Sequence, residues 1–338
     1  MIDRMTNRMT IPEPFAKFPA PAAFSGRTQD LEMAMTATAQ CIAVDWGTTS
    51  LRVMLLGDGG QVLDRVARPK GILAVPAGGF AAELEAACGE WRTDHPGLPV
   101  LMSGMIGSQQ GWIEAPYLET PCGLSDLIAA MAEVPEVGGS VRIMPGVRGR
   151  TADGTPEIMR GEETQIGGVI AAHGVSDGLF CIPGTHSKWV QVSGGQIRSF
   201  ATFMTGESFA ILKAHSILGR LMAADDGHDP AVFRKGLARA QAPGGLLHQL
   251  FAARTLGILD EMPKSGLRSF LSGLLIGAEI DGARRLYDDL SPVHLVAGGA
   301  AGEPYTAAFE ASGIAFTLWD AEAAALAGLW TAAKTLAS

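Results

Sequence analysis

Short apolar runs broken by glycine and threonine turns set the rhythm of the chain from residue 41 onward. Residues 41–44 are apolar, Gly47-Thr48-Thr49 is a tight polar turn, and residues 51–56 are apolar again but for Arg52. Gly57-Asp58-Gly59-Gly60 then punctuates the start of a third run. This alternation predicts three successive strands joined by turns. Over residues 79–92 the spacing becomes helical, with Phe80, Leu84, Ala87 and Trp91 on one face. Residues 99–102 predict a short strand ending in the loop 103–112. A short helix is expected over 124–133, a strand over 141–144, and a glycine-rich charged loop over 145–156. A helix is expected from about Glu163, carrying the small residues Gly167, Gly168, Ala171 and Ala172.

Residues 179–200 repeat the opening order of strand, Gly-Thr turn, strand, Gly-Gly turn and strand. Such an echo suggests two domains that each begin on the same hairpin. Residues 206–222, 230–241, 244–260 and 266–287 predict helices. Residues 294–302 read as a strand running into a glycine turn, and an alanine-rich helix follows Asp320. The expected architecture is therefore α/β with two domains, 39–174 joined by the terminal helix 320–335, and 175–319. Residues 1–38 hold Pro12, Pro14, Pro19 and Pro21 without a sustained period, and a disordered extension is expected there.

Composition narrows the function classes. Hydrophobic residues make up 47% and charged residues 18% of the 338, enough for sizeable cores. The formal net charge of −9 disfavours a broad nucleic-acid surface. No apolar run reaches the roughly 18–20 residues of a membrane span. The four cysteines form no CxxC pair and no zinc spacing, which fits a reducing, cytoplasmic setting.

The turns carry the candidate chemistry. Asp45 ends the first strand, where a carboxylate can hold Mg²⁺, and Gly47, Thr48 and Thr49 offer backbone and hydroxyl donors to phosphate. An ordinary Asp-Gly hairpin would read the same way. In the second hairpin Gly184 and Thr185 offer the same donors. His186 and Lys188 add charge or donors beside a transferred group, although a turn histidine and a solvated lysine are equally ordinary. Glu162 and Glu163 stand where a carboxylate could orient an attacking hydroxyl; acids at a helix start also serve the helix dipole. Gly298 and Gly299 would let an adenine and ribose approach the backbone. The small residues Ala324, Ala327 and Gly328 answer those at 167–172, as two closely crossing helices require, and a crossing between domains would be a hinge.

Taken in order, these features resemble the actin-like ATPase superfamily over roughly residues 40–335. The segments MSGMIGSQQGWIEAPY (102–117), MRGEETQIGG (159–168), PGTHSKWV (183–190) and FMTGESFAIL (203–212) resemble the 2-dehydro-3-deoxygalactonokinase family more narrowly. The resemblance implies two actin-like, ribonuclease H-like domains around a nucleotide cleft, with ATP and Mg²⁺ as cofactors. It implies phosphorylation of 2-dehydro-3-deoxy-D-galactonate on its 6-hydroxyl, a step of D-galactonate catabolism. Where related sugar kinases carry their acid, this chain has Gly-Glu-Glu, so Glu162 matches it and Glu163 competes. An acid substrate needs donors for its carboxylate and keto oxygen, and Arg160, Ser103, Ser108 and Gln110 are candidates. Thr205, Gly206 and Glu207 are expected to face the cleft from the second domain. A kinase for the gluconate epimer or for an amino or anhydro sugar, and a phosphohydrolase of the same fold, are the alternatives. Small molecules are the expected partners, with no nucleic acid and no membrane; a homo-oligomer is left open.

Overall fold

The computed structural model describes residues 38–137, 140–222 and 227–338. Apart from Thr38, the extension expected over 1–38 lies outside the described residues. The chain divides into two compact units. The first holds residues up to 177 with 192–199 and 319–338, and the second holds 178–191 and 200–318.

The first unit opens on β1 (Ala39–Trp46), β2 (Leu51–Gly57) and β3 (Val62–Arg68), followed by helix α1 (Phe80–Asp94) and β4 (Val100–Ser103). Then come β5 (Tyr117–Glu119), β6 (Cys122–Gly123), α2 (Leu124–Ala129), β7 (Ala132–Glu133) and β8 (Val141–Ile143). The strands β9 (Gly146–Arg150) and β10 (Pro156–Met159) lead into α3 (Glu162–His173). The main sheet runs β3-β2-β1-β4-β8-β7. β1, β2 and β3 form an antiparallel meander, while β4 and β8 lie parallel to β1 in turn. This register sets Asp45 opposite Arg52 on one side and Ser103 on the other. Ile42, Val44, Trp46, Val53, Leu84 and Met102 close the core, with Phe80 edge-on to Trp46 at 5.6 Å.

Two expectations change here. The glycine-rich stretch after Met144 holds a strand, β9, which pairs with β10 and with β5 in a separate three-stranded sheet. Its partner β5 lies across a long gap in sequence, so no local period announces the pairing. Helix α3 starts at Glu162 rather than after it, because Gly161 takes a positive φ of 109° and turns the chain into the helix.

The second unit begins with β11 (Gly178–Ile182), β12 (Ser187–Ser193) and β13 (Gln196–Phe203), whose residues 192–199 count with the first unit. Helices α4 (Thr205–His215), α5 (Pro230–Ala240), α6 (Gly245–Leu250), α7 (Ala252–Ile258) and α8 (Leu267–Leu286) follow. β14 (Val293–Ala297), α9 (Gly302–Ala311) and β15 (Phe316–Asp320) complete the run. The strands lie in the order β15-β14-β11-β12-β13, with β14 parallel to β11. Each sheet thus has three successive strands on one side and a parallel neighbour beside the first of them. Asp229 caps α5 by accepting from Ala231 and Val232 N–H, with Pro230 at the first helical position.

The terminal helix α10 (Ala321–Ala337) belongs to the first unit and crosses α3 there. A Cβ on Gly168 would lie 1.8 Å from Ala324 O, and one on Gly328 would lie 2.3 Å from Thr164 O. The two backbones touch, as the small-residue stripes predicted. Both helices lie in one unit, so this crossing is a packing seam within that unit.

Candidate active site

In the first unit, the end of β1 and the turn after it carry Asp45, Gly47, Thr48 and Thr49. Gly47 N–H donates to Ser50 O at 2.9 Å, closing the turn and leaving Thr48 and Thr49 exposed. Asp45 is half-buried, and Arg52 donates to its Oδ2 at 2.9 Å. Burial pushes the Asp45 carboxyl above its ordinary value, against the pull of Arg52. Among the described residues no group of three or more His, Cys, Asp or Glu side chains gathers to hold a metal. A single carboxylate with one oxygen turned away from Arg52 fits Mg²⁺, which keeps waters and takes its other ligands from phosphate.

The turn is held from behind. A Cβ on Gly71 would lie 2.2 Å from the backbone of Thr48 and Thr49. Ile72 N–H donates to Gly47 O at 3.0 Å. Next to Gly71, Lys70 pairs with the buried Glu83, which Arg68 also reaches at 2.9 Å. Trp46 Nε1 donates to Lys70 O at 3.1 Å.

The two acids at the start of α3 live in different surroundings. Glu163 is 0% exposed, and both its oxygens accept from Gly161 N–H, at 2.9 and 2.7 Å. Thr164 donates to it at 3.0 Å and receives in turn from Ser103. Burial, and after it the charge of Glu162, pushes the Glu163 carboxyl up to about 8. Glu162 is half-buried and accepts from Arg160 N–H at 3.1 Å.

Arg160 is 8% exposed, lies 4.3 Å from the Tyr117 ring centre, and donates from Nη2 to Ala115 O at 2.8 Å. Its Nε and Nη1 are buried with no protein acceptor. Nη1 stands against Gly107, where a Cβ would come within 2.8 Å of it. The other loop candidates sit differently. Ser103 is buried on Thr164, Ser108 donates to Met105 O at 2.7 Å, and Gln110 is exposed.

In the second unit, a pocket of about 440 Å³ gathers Gly184, Thr205 and Gly206. Its walls come from Phe209 on α4, Arg268, Ser272, Leu275 and Ile276 on α8, and Pro304 and Tyr305 on α9. The volume and the mix of apolar wall and few polar groups suit a small ligand. Gly206 presses on the turn, since a Cβ there would lie 2.3 Å from Gly184 O. Glu207 N–H donates to Thr185 O at 2.9 Å, and its carboxylate bonds the His186 ring. Lys188 is buried beneath the turn and donates to His186 O at 3.3 Å. Gly298 is extended and Gly299 has a φ of 56°; they lead into α9, whose first turn, not these glycines, lines the pocket.

Sequence reasoning did not single out Phe209, Arg268, Ser272, Glu279 or Tyr305. The last two belong to a buried cluster beside the pocket, and neither has a local signal. A second pocket, lined by Ser125, Ile128, Arg142 and Leu336 in the first unit, holds none of the candidate residues.

Two α/β units built on related sheets, each with a small-residue turn after its first strand, give the chain the layout of the actin-like ATPase fold. The family model for 2-keto-3-deoxy-galactonokinase matches residues 45–332, and the chain belongs to that family. It is 36% identical over 301 residues to the 2-dehydro-3-deoxygalactonokinase of Escherichia coli (strain K12), covering 89% of this chain and 100% of that one. A Rhizobium meliloti (strain 1021) protein, provisionally described with the same activity, is 36% identical over 305 residues, 89% of this chain and 99% of that protein. A crystal structure of a Sinorhizobium meliloti protein with the same provisional description superposes with a TM-score of 0.82 at 36% identity, over 88% of this chain and 99% of that one. Component A of (R)-2-hydroxyglutaryl-CoA dehydratase from Acidaminococcus fermentans shares the fold alone, with a TM-score of 0.51 at 12% identity, over 89% of this chain and 100% of that one. Among the described residues no helix is long and apolar enough to cross a membrane, and all four cysteines are free and buried.

Proposed function

We propose that the chain carries the 2-dehydro-3-deoxygalactonokinase activity of its family, moving the γ-phosphoryl group of ATP to the 6-hydroxyl of 2-dehydro-3-deoxy-D-galactonate in the cytoplasm. The O6–Pγ bond forms as the bond from Pγ to the β-phosphate bridging oxygen breaks, and ADP leaves. Glu162 orients the 6-hydroxyl and takes its proton. Its half-buried carboxylate is better placed for this than that of Glu163, which is enclosed in the core. Mg²⁺, when bound at Asp45, supplies positive charge to the phosphate oxygens. The pocket beside Gly184 takes the nucleotide, with the Gly184–Thr185 turn and the first turn of α4 offering N–H groups to phosphate. Gly47, Thr48 and Thr49 serve phosphate in the first unit. His186 and Lys188 add donors and charge by the second turn.

The substrate is an anion, and what carries the assignment of its acid group is Arg160. A permanently charged guanidinium buried with two unpartnered nitrogens costs several kcal/mol, of order 3–5, until an acceptor arrives. A carboxylate is the acceptor whose geometry matches it. Gln110, exposed on the loop that carries Gly107, is available to the keto oxygen.

Sugar-dependent ADP release tests the whole reading. The panel is the galactonate-derived acid, its gluconate epimer, an amino sugar and no sugar. Turnover is expected with the galactonate-derived acid; ADP release without sugar would point to a phosphohydrolase. Glu162→Gln is expected to cut kcat by about 10²- to 10⁴-fold with the fold intact. Undiminished turnover in that variant would remove Glu162 from the mechanism.

A further inference from the structure

The buried face of helix α8 is apolar apart from Ser269 and Glu279. Leu271, Leu274, Leu275, Ile276, Ile280 and Ala283 are buried, and among them Glu279 is 2% exposed. A carboxylate in such a place is costly unless its oxygens are satisfied. Three neutral donors converge on it. Trp189 Nε1 on β12 donates to Oε1 at 2.9 Å, Tyr305 Oη on α9 donates to Oε2 at 2.6 Å, and Thr205 Oγ1, at the first position of α4, donates to Oε2 as well. Tyr305 has spent its proton on Glu279, so at 2.7 Å it accepts from Ser187 Oγ on β12.

We infer that Glu279 is a positioning residue for the nucleotide, acting through Thr205 to hold the first turn of α4 against the Gly184–Thr185 turn; this rests on the reading that the adjoining pocket takes ATP. Thr205 and Tyr305 line that pocket, and Glu279 stands behind them. With the Thr205 hydroxyl drawn inward, Gly206 sits flat on Gly184 O and Glu207 N–H reaches Thr185 O at 2.9 Å. Loss of the anchor releases α4 from the turn, and the N–H groups facing phosphate lose their common geometry. Core stability does not call for a carboxylate here, because buried polar clusters are often replaced by apolar residues of like volume without loss. Fixing a helix end by one carboxylate shared among three elements is what a binding site needs.

The test uses the full chain with Glu279→Gln, Thr205→Val, Thr205→Ser, the Glu279→Gln/Thr205→Val double variant and Ser272→Phe. Mg·ADP affinity is read by calorimetry, and KM for ATP and for the sugar acid by steady-state kinetics. Glu279→Gln and Thr205→Val are expected to weaken ADP and raise KM for ATP by about tenfold, with KM for the sugar acid within about twofold. Thr205→Ser should retain the wild-type values, and the double variant should be no worse than the worse single one, because the two groups act as one unit. Glu279→Gln and Thr205→Val variants that lose thermal stability but keep ADP affinity and kcat/KM for ATP within about twofold overturn the inference. Should Glu279→Gln fail to fold, Thr205→Val against Thr205→Ser decides on the same readouts. Ser272→Phe fills the pocket wall away from the cluster. An unchanged ADP affinity there overturns the nucleotide reading itself; a weakened one, with the Glu279 and Thr205 variants normal, overturns the positioning role alone.

Discussion

The two turns meet the same mechanical problem with different materials. Each is a small-residue loop after the first strand of its sheet, and each is pressed from behind by a glycine, Gly71 against Thr48 and Gly206 against Gly184. Each is backed by a buried glutamate. Behind the first turn, Glu83 is gripped by Arg68 and Lys70, whose side chains are 33% and 44% exposed. Behind the second, Glu279 is gripped by a tryptophan, a tyrosine and a threonine. The first brace is ionic and open to solvent; the second is neutral and sealed. Salt therefore reaches the first brace more than the second.

The largest effects are expected at the glycines. Gly71 has a φ of −74°, which any residue adopts, so only the contact with Thr48 forbids a side chain there. Gly71→Ala and Gly206→Ala each force backbone apart and should cost about 3 kcal/mol or more. Both should also raise KM for ATP, as thermal melts and kinetics can read. A Gly206→Ala enzyme with normal ATP kinetics would break the parallel between the turns.

Next in size is pH, where buried carboxylates of the first unit act with opposite sign. The Glu163 carboxyl sits at about 8 in the folded chain against an ordinary 4.5. The folded chain therefore holds a proton that the unfolded chain has released, and stability should fall as pH rises from 4.5 toward about 8, then level off. At Glu83 burial raises the pKa, but the bonds and charges of Lys70 and Arg68 outweigh it and hold it below 4.5. Its contribution is present above 4.5 and is lost as pH falls through the folded value. Urea unfolding across this range should show Glu163→Gln flattening the neutral limb and Glu83→Gln flattening the acid limb. Swapped limbs would mean that the two environments have been misread.

The smallest effect separates the braces by salt. With half-exposed cations, Glu83→Gln should cost only about 1 kcal/mol. At about 1 M NaCl, where the Debye length is about 3 Å, the wild type should lose part of that difference. Glu279→Gln should respond to salt no more than the wild type does. Equal salt responses would erase the contrast between an ionic and a neutral brace.

What the sequence made legible follows from where the signal lies. The strand–turn–strand openings were readable because their apolar runs and glycine-threonine turns are contiguous. The same holds for the small residues that let α3 and α10 touch. Gly184, Thr205 and Gly206 were named from short motifs, and the structure brings them to one pocket. The strand β9 was hidden because its partners come from distant segments and its glycines read as a loop. Glu162 was matched to the family's acid with Glu163 as its competitor, and burial is what parts the two in the structure. Glu279 carried no local mark, because Trp189, Thr205 and Tyr305 lie 90, 74 and 26 positions away. Buried polar hubs are properties of three-dimensional neighbourhoods, and a linear pattern does not contain them.

The seam between α3 and α10 has a consequence for how the protein is made. The second unit is assembled from residues 178–191 and 200–318, all of which leave the ribosome before α10 does. The first unit starts at the amino end, yet the groove over Thr164 and Gly168 stays empty until residues 321–337 arrive to fill it. The usual amino-terminal-first order of folding during synthesis is therefore expected to be reversed. The half of the molecule translated first is then finished last, and a chain cut short before its final helix is expected to leave the first unit's core open.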